Sequence, residues 1–274
     1  MLIRKRELEE LSQNIRKIID GQDIDIRDNR EGAFKILKND IHILAKLKNE
    51  QVAVLQQERD ILKNTLADIS HQLKTPLTSM MIMIDLLEDA PREKQEEFIE
   101  NIKIGLQKTE WLVSALLKIA KLDAGAVDFS LALVKSSEII ELALEPLDIQ
   151  LELKNQHITI IGETELYCDK RWTAEALRNI IKNASEHSPN NSEIKIEAGG
   201  NPICMWISVT DSGKGLSNMQ IAKLFRRFEG SQNSMGYGIG LPLALSIIRG
   251  QNGDIEVTGG GNGIGATFIL KLYK

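Results

Sequence analysis

From Leu66 onward the apolar residues Leu66, Ile69, Leu73, Met80, Met83 and Leu87 step by threes, fours and sevens, the spacing of a helix seam that other helices must cover. The stretch EDAPRE interrupts this helix. A second begins near Arg92, carries Ile99, Ile102, Leu106, Val113, Leu116 and Ala120 on its seam, and ends at Gly125. Two such helices make a hairpin. A lone hairpin covers each stripe on one side only, so two copies closing a four-helix bundle are the economical solution, and a homodimer is expected.

Beyond Gly125 the pattern changes. Residues 1 to 125 contain Pro76 and Pro91 as their only prolines, whereas most of the glycine lies in the remainder, and the boundary falls near KLDAGAVDF. The strand-like runs VDFSLALV, HITIIG, EIKIEA, ICMWISVTD, DIEVTG and ATFILKLY alternate with helical stretches near 136 to 153, 171 to 187 and 241 to 249. This pattern predicts an α/β sandwich, one mixed sheet with helices packed on one face. The glycine-rich and polar stretch from Asp211 to Gly240 is too long for a passive connector and reads as a functional loop. The first sixty residues read as a helix, a turn at Gly21, an extended alternation through Ile24 and Ile26, and a second helix entered near REGAF. The expected class is therefore α+β multidomain, with segments at 1–60, 61–125 and 126–274.

The net charge of −5 supplies no field that would gather nucleic acid, and no long basic cluster provides a local one, so a nucleic-acid partner is not expected. Cys168 and Cys204 lack metal-ligand spacing and read as buried thiols of a reducing compartment. No apolar run reaches the roughly 18 residues of a membrane span. The basic cluster in MLIRKRELEE reads as the cytoplasmic flank of a membrane helix preceding it, with an ordinary charged helix start as the alternative, and the expectation is a cytoplasmic portion attached to a membrane.

Three constellations could carry chemistry. With Leu66 and Leu73 at successive a positions, His71 falls at f, opposite the seam, and Thr75 follows one turn later on nearly the same face. A solvated neutral imidazole is a competent nucleophile, although a surface histidine without a role is the plain alternative. Pro76 points the other way, because inside a helix it frees the carbonyl of Gln72 and costs about 3 kcal/mol, an expense that calls for a functional cause. In EALRNIIKNASEHS, Glu175, Asn179 and Asn183 line one helix stripe with the hard oxygen donors that suit Mg²⁺ beside substrate phosphates; a polar surface stripe is the bland reading. TDSGKGLS sets the carboxylate of Asp211 beside Gly213 and Gly215, where backbone can approach a ligand. GYGIGLPLA places Gly236, Gly238 and Gly240 ahead of a helix start that can face an anion, and its spacing is not that of a dinucleotide fingerprint.

Taken in order, these segments resemble the signature set of bacterial sensor histidine kinases. SHQLKTPLT resembles the phosphoacceptor box, LRNIIKNASEHS the asparagine box, DSGKGL and GYGIGLPLA the two glycine boxes, and LFRRFEG the phenylalanine box. The first sixty residues more loosely resemble a HAMP linker. The resemblance implies a HisKA-type hairpin followed by a Bergerat-type ATP-binding domain. It implies that His71 accepts a phosphoryl group from ATP, that Asn183 holds Mg²⁺ with support from Asn179 and Glu175, and that Asp211 reads the adenine amino group. Arg227 is implied to approach the terminal phosphate, while Gly213, Gly215, Gly236, Gly238 and Gly240 shape the nucleotide pocket. The implied partner is the receiver domain of a response regulator.

The sequence also departs from the family pattern. Gln72 stands where an acidic residue is common, and a neutral amide can orient an imidazole but cannot take its proton. Thr75 keeps a position associated with dephosphorylating the partner, so a phosphatase-biased protein or an ATP-binding signalling adaptor with weak autokinase activity is the alternative. Glu186, His187 and Ala266 replace a basic residue, a tyrosine and a hydroxyl.

Overall fold

The computed structural model describes residues 5–19, 33–88, 90–228, 238–260 and 265–274. The chain divides into two compact units, Met1–Ser70 and His71–Lys274. The first contains helix α1 (Lys5–Ile19) and the beginning of α2 (Ala33–Leu87), where Leu11 and Ile18 are buried against Ile15, Ile41 and Ala45. The turn and extended alternation expected around Gly21, Ile24 and Ile26 lie outside the described residues.

In the second unit the rest of α2 and helix α3 (Arg92–Asp123) form the expected hairpin. Its turn is tied by Gln95, whose Nε2 donates to the carbonyls of Leu87 at 3.1 Å and Ala90 at 2.9 Å. Lower down, buried Met80 fills the space left by Gly105, where a Cβ would stand 2.8 Å from the Met80 sulfur. Gly125, at φ +62°, ends α3, and the N–H groups of Gly125 and Ala126 cap the carbonyls of Leu122 and Lys121.

Helix α3 departs from the single seam read in the sequence. Ile99, Leu106 and Val113 of that seam are 43%, 56% and 41% exposed, while the neighbouring stripe of Leu112, Ala115 and Ile119 is buried in the core of the α/β part. α3 thus has two apolar faces. A fully buried Leu or Ile contributes about 1.5–3 kcal/mol by transfer, which makes this second face a substantial attachment.

The α/β part follows as β1 (Ala132–Lys135), α4 (Ser136–Leu144), α5 (Asp148–Leu153), β2 (His157–Ile161), β3 (Glu165–Cys168), α6 (Lys170–His187), β4 (Glu193–Gly200) and β5 (Cys204–Thr210). It closes with α7 (Asn218–Lys223), α8 (Gly240–Arg249), β6 (Gly253–Thr258) and β7 (Thr267–Tyr273). Five strands form the mixed sheet in the order β2-β4-β5-β7-β6, with β2 and β4 parallel and the other pairs antiparallel. Its register aligns Ile196, Val209 and Phe268 across three strands on the face that α4, α6 and α8 cover. The opposite face is polar and carries the ion pairs Lys195 with Glu197 at 3.0 Å and Lys271 with Glu256 at 2.5 Å. That polarity is why one helical layer suffices.

Four features correct the sequence reading. The strand expected over 127–134 is confined to Ala132–Lys135, and it pairs with β3 in a separate two-stranded sheet rather than joining the main one. β3 itself spans four residues, too few for an alternation to stand out. The helix expected over 136–153 is divided by a 3₁₀ turn at Glu145–Leu147, where Pro146 removes a donor. The stretch from Asp211 to Gly240 includes α7, opened by a capping box between Ser217 and Gln220.

Candidate functional site

The site is organised around α6. Asp169 starts this helix, its Oδ1 accepting from the N–H groups of Arg171 and Trp172 at 3.0 and 3.1 Å. Its Oδ2 accepts from Ser130 N–H at 2.9 Å, so one carboxylate fixes both the helix and the segment leading to β1. Ala176, Leu177, Ile180, Ile181 and Ala184 are buried in the core. This leaves Glu175, Asn179 and Asn183 half-buried along one stripe, as their spacing predicts. Asn179 donates through Nδ2 to the Glu175 carbonyl at 2.9 Å, and its Oδ1 lies 3.0 Å from where a Cβ on Gly240 would stand. The start of α8 therefore packs directly on the asparagine stripe.

At the end of β5, Asp211 is buried with 6% exposure. Its Oδ1 accepts from Gly213 N–H at 2.7 Å and Ala266 N–H at 3.1 Å, and its own N–H donates to the Ala266 carbonyl at 3.0 Å. These bonds hold the carboxylate in one orientation through one oxygen, leaving Oδ2 as the acceptor for a ligand donor. Ala266 meets Asp211 through its backbone alone, so this contact needs no side-chain hydroxyl. A Cβ at Gly265 would collide with Asp211, so that backbone approach is available only to glycine.

Arg227 reaches Asp123 at the end of α3, with Nη2 to Oδ2 at 2.5 Å. The next residue, Phe228, adopts φ +64°, an uncommon conformation for a bulky side chain, and its N–H donates to the Gly238 carbonyl at 3.2 Å. Glu175 is likewise engaged from α3, because Lys118 Nζ lies 2.5 Å from its Oε1, with Arg178 at 3.7 Å on the same oxygen. Two residues of the expected nucleotide site are thus held by α3. Gly236 lies outside the described residues, whereas Gly215 and Gly238 take φ +73° and +66°.

His71 is exposed on α2, and Thr75 donates its hydroxyl to the His71 carbonyl at 3.2 Å. α2 continues through Pro76, which lacks the N–H that would satisfy the Gln72 carbonyl. Gln72 is half-buried beside the exposed histidine. Among the described residues no hydrogen bond or ion pair joins His71 to α6, Asp211 or Arg227. Nor do the described residues contain a group of three or more His, Cys, Asp or Glu side chains suited to a metal.

The structure therefore gathers Glu175, Asn179 and Gly240 in one place, ties Asp211 to Gly213, and leaves His71 on a separate element. Lys118, Asp123, Gln156, Gln251 and the backbone of Ala266 escaped the sequence reading. Gln251 accepts from the buried N–H of Asp169 at 2.6 Å, across 82 residues.

Residues 61–125 match the family described as His Kinase A (phospho-acceptor) domain, and residues 168–274 match the Histidine kinase-, DNA gyrase B-, and HSP90-like ATPase family. The chain is 27% identical over 226 residues to the signal transduction histidine-protein kinase BaeS of Escherichia coli (strain K12), covering 77% of this chain and 47% of that protein. It spans about half the length or less of the first curated relatives it matches. Among solved structures, the Acinetobacter baumannii histidine kinase AdeS aligns with a TM-score of 0.61 at 20% identity, covering 74% of this chain and 97% of AdeS. Histidine kinase ThkA, solved in complex with response regulator protein TrrA, aligns with a TM-score of 0.63 at 19% identity over 83% of this chain and 66% of ThkA. These likenesses show the shared fold. No described helix is long and apolar enough to cross a membrane.

Proposed function

Because the chain belongs to the bacterial two-component sensor histidine kinases, we propose that it transfers the terminal phosphoryl group of ATP to His71 and then to an aspartate on a response regulator. ATP binding is implied by the ATPase family that residues 168–274 match. The observation that carries the reading is the fixed carboxylate of Asp211 in the same chain as the half-buried asparagine stripe of α6 and an exposed histidine ahead of a helix proline.

In this reading Asp211 accepts from the exocyclic amino group of adenine through Oδ2, while Oδ1 stays bonded to the backbone. Asn179, Asn183 and Glu175 offer amide and carboxylate oxygens, the hard donors that fit Mg²⁺. When bound, that ion neutralises phosphate charge. Arg227 leaves Asp123 to meet the terminal phosphate. At His71 an imidazole nitrogen bonds to phosphorus as the bond to the departing ADP oxygen breaks, and the ring proton passes to water. Gln72 orients the ring but has no basic oxygen to receive that proton. Phosphoryl transfer asks mainly for positioning and charge neutralisation, which this set provides.

The exposed seam of α3 supports a homodimer, since the same face on a second copy would close the bundle. His71 faces outward, so a receiver domain can dock along the hairpin. In this reading Thr75 orients water when phosphate is removed from that partner. The test is to supply terminally labelled ATP and Mg²⁺, then add an isolated receiver domain and follow the label. Label that enters the kinase and moves to the receiver supports the proposal. Nucleotide binding without label favours the adaptor alternative.

A further inference from the structure

The last carbonyls of a helix have no partners within it and are commonly met by water or by a glycine cap. At the end of α6 a buried side chain from another segment meets them instead. Gln156, 6% exposed, precedes β2, and its Nε2 donates to the carbonyls of Ser185 at 3.1 Å, Ser188 at 3.3 Å and Pro189 at 3.1 Å. Its Oε1 accepts from the Ser185 hydroxyl at 2.7 Å. Lys154 adds a donor to the Ser185 carbonyl at 2.6 Å.

The segment gathered in this way touches the base-recognition residues. Ser212 N–H donates to Ser188 Oγ at 3.1 Å, and Gly213 packs so closely on the His187 carbonyl that a Cβ would stand 2.7 Å from it. Gly213 in turn donates to Asp211 Oδ1 at 2.7 Å. A continuous set of contacts therefore runs from Gln156 through the end of α6 to the one carboxylate that faces the base. Burying a glutamine is unfavourable unless its bonds are made, and here both ends of the amide are used.

We infer that Gln156 is a positioning residue for base selection: by holding residues 185–189 it sets where Asp211 stands relative to the asparagines of α6. The inference rests on the assignment of Asp211 to adenine. Guanine presents a carbonyl oxygen where adenine presents its amino group, so a fixed carboxylate repels GTP and a displaced one repels it less.

The test is competition of ATP and GTP for the full chain in the presence of Mg²⁺. In Gln156→Leu the Ser188 carbonyl loses its side-chain donor, while the Ser185 and Pro189 carbonyls keep Lys154 and Ser192, and the preference for ATP over GTP falls by about tenfold, the scale of one buried polar group left unpaired. Ser188→Ala leaves the Gln156 donations to backbone intact but severs the bond to Ser212, and it lowers the preference in the same direction. The double variant resembles the more affected single variant, because both act on one path. If Gln156→Leu does not fold, Ser188→Ala alone carries the same expectation. An unchanged preference in a folded variant, equal weakening of ATP and GTP, or multiplying effects in the double variant overturns the inference. Asp211→Asn separates the two levels. Loss of preference there without loss in the Gln156 and Ser188 variants overturns the positioning role alone, and an unchanged preference in Asp211→Asn overturns both.

Discussion

Arg227 and Asp123 stand 2.5 Å apart across the junction of α3 and the α/β part, so the guanidinium assigned to the terminal phosphate is occupied by a helix-end carboxylate. The side chains are 35% and 48% exposed, which limits such a pair to about 1 kcal/mol at most. In the proposed reading, phosphate displaces Asp123 to engage Arg227. Asp123→Asn is expected to tighten ATP binding by about two- to fivefold, the range an exposed ion pair permits. ADP, which lacks the terminal phosphate, should change little. Equal tightening of both nucleotides, or of neither, would separate Arg227 from that phosphate.

Lys118 and Glu175 form the second tie to α3, and here the carboxylate is more enclosed, with 16% side-chain exposure. Removing the ammonium in Lys118→Met leaves Arg178 at 3.7 Å as the cation on that oxygen, and in the proposed reading makes the carboxylate more available to Mg²⁺. The Mg²⁺ concentration giving half-maximal nucleotide binding should fall by about threefold, within the value of a partly exposed pair. A rise would show that Lys118 assists the site.

Gly265 passes so close to Asp211 that any side chain collides with backbone, which cannot rotate away. Gly265→Ala should weaken ATP binding by about five- to 150-fold, since overpacking at a fixed backbone contact costs about 1–3 kcal/mol and falls on the carboxylate proposed to meet the base. Titration with a fluorescent adenine nucleotide measures it. Unaltered affinity would mean that Asp211 tolerates displacement.

Burial pushes the Cys168 thiol above its ordinary value, against a hydrogen bond with Thr173, and the charge of Asp169 adds to the rise. A raised thiol holds less of the reactive thiolate. Cys168 should resist iodoacetamide at mildly alkaline pH in the native protein and react once denaturant is added. Rapid native modification, mapped by mass spectrometry, would contradict the buried structural role.

The parts of the site carried by short contiguous patterns were legible in the sequence. Glu175, Asn179 and Asn183 share a stripe because helix periodicity requires it, and His71 faces water because its seam neighbours cannot. Contacts between distant segments were not legible. Nothing near Lys118 or Asp123 marks them as partners of Glu175 and Arg227, since their pairing depends on how α3 docks. Gln156 and Gln251 act across 29 and 82 residues in the same way. The second apolar face of α3 was missed for a different reason: one heptad seam accounts for the bundle, and the adjoining Leu112, Ala115 and Ile119 have a purpose only once a second domain exists to cover them. β3 was too short to announce itself.

Gln72 is the departure from the family pattern that bears most on the chemistry. If removal of the ring proton limits transfer, Gln72→Glu should raise the rate of labelling by about tenfold or more, in the range that general-base assistance supplies. An unchanged or lower rate would show that proton removal is not limiting.

The central claim is that His71 receives phosphate from ATP, and its most direct test is the stability and position of the label. With Mg²⁺ and terminally labelled ATP, the wild-type chain should acquire a phosphoryl group that is lost in acid and retained in alkali, as a phosphoramidate bond requires, and His71→Ala should acquire none while binding nucleotide normally. Acid-stable label, label that persists in His71→Ala, or a wild-type chain that binds nucleotide and remains unlabelled would contradict it.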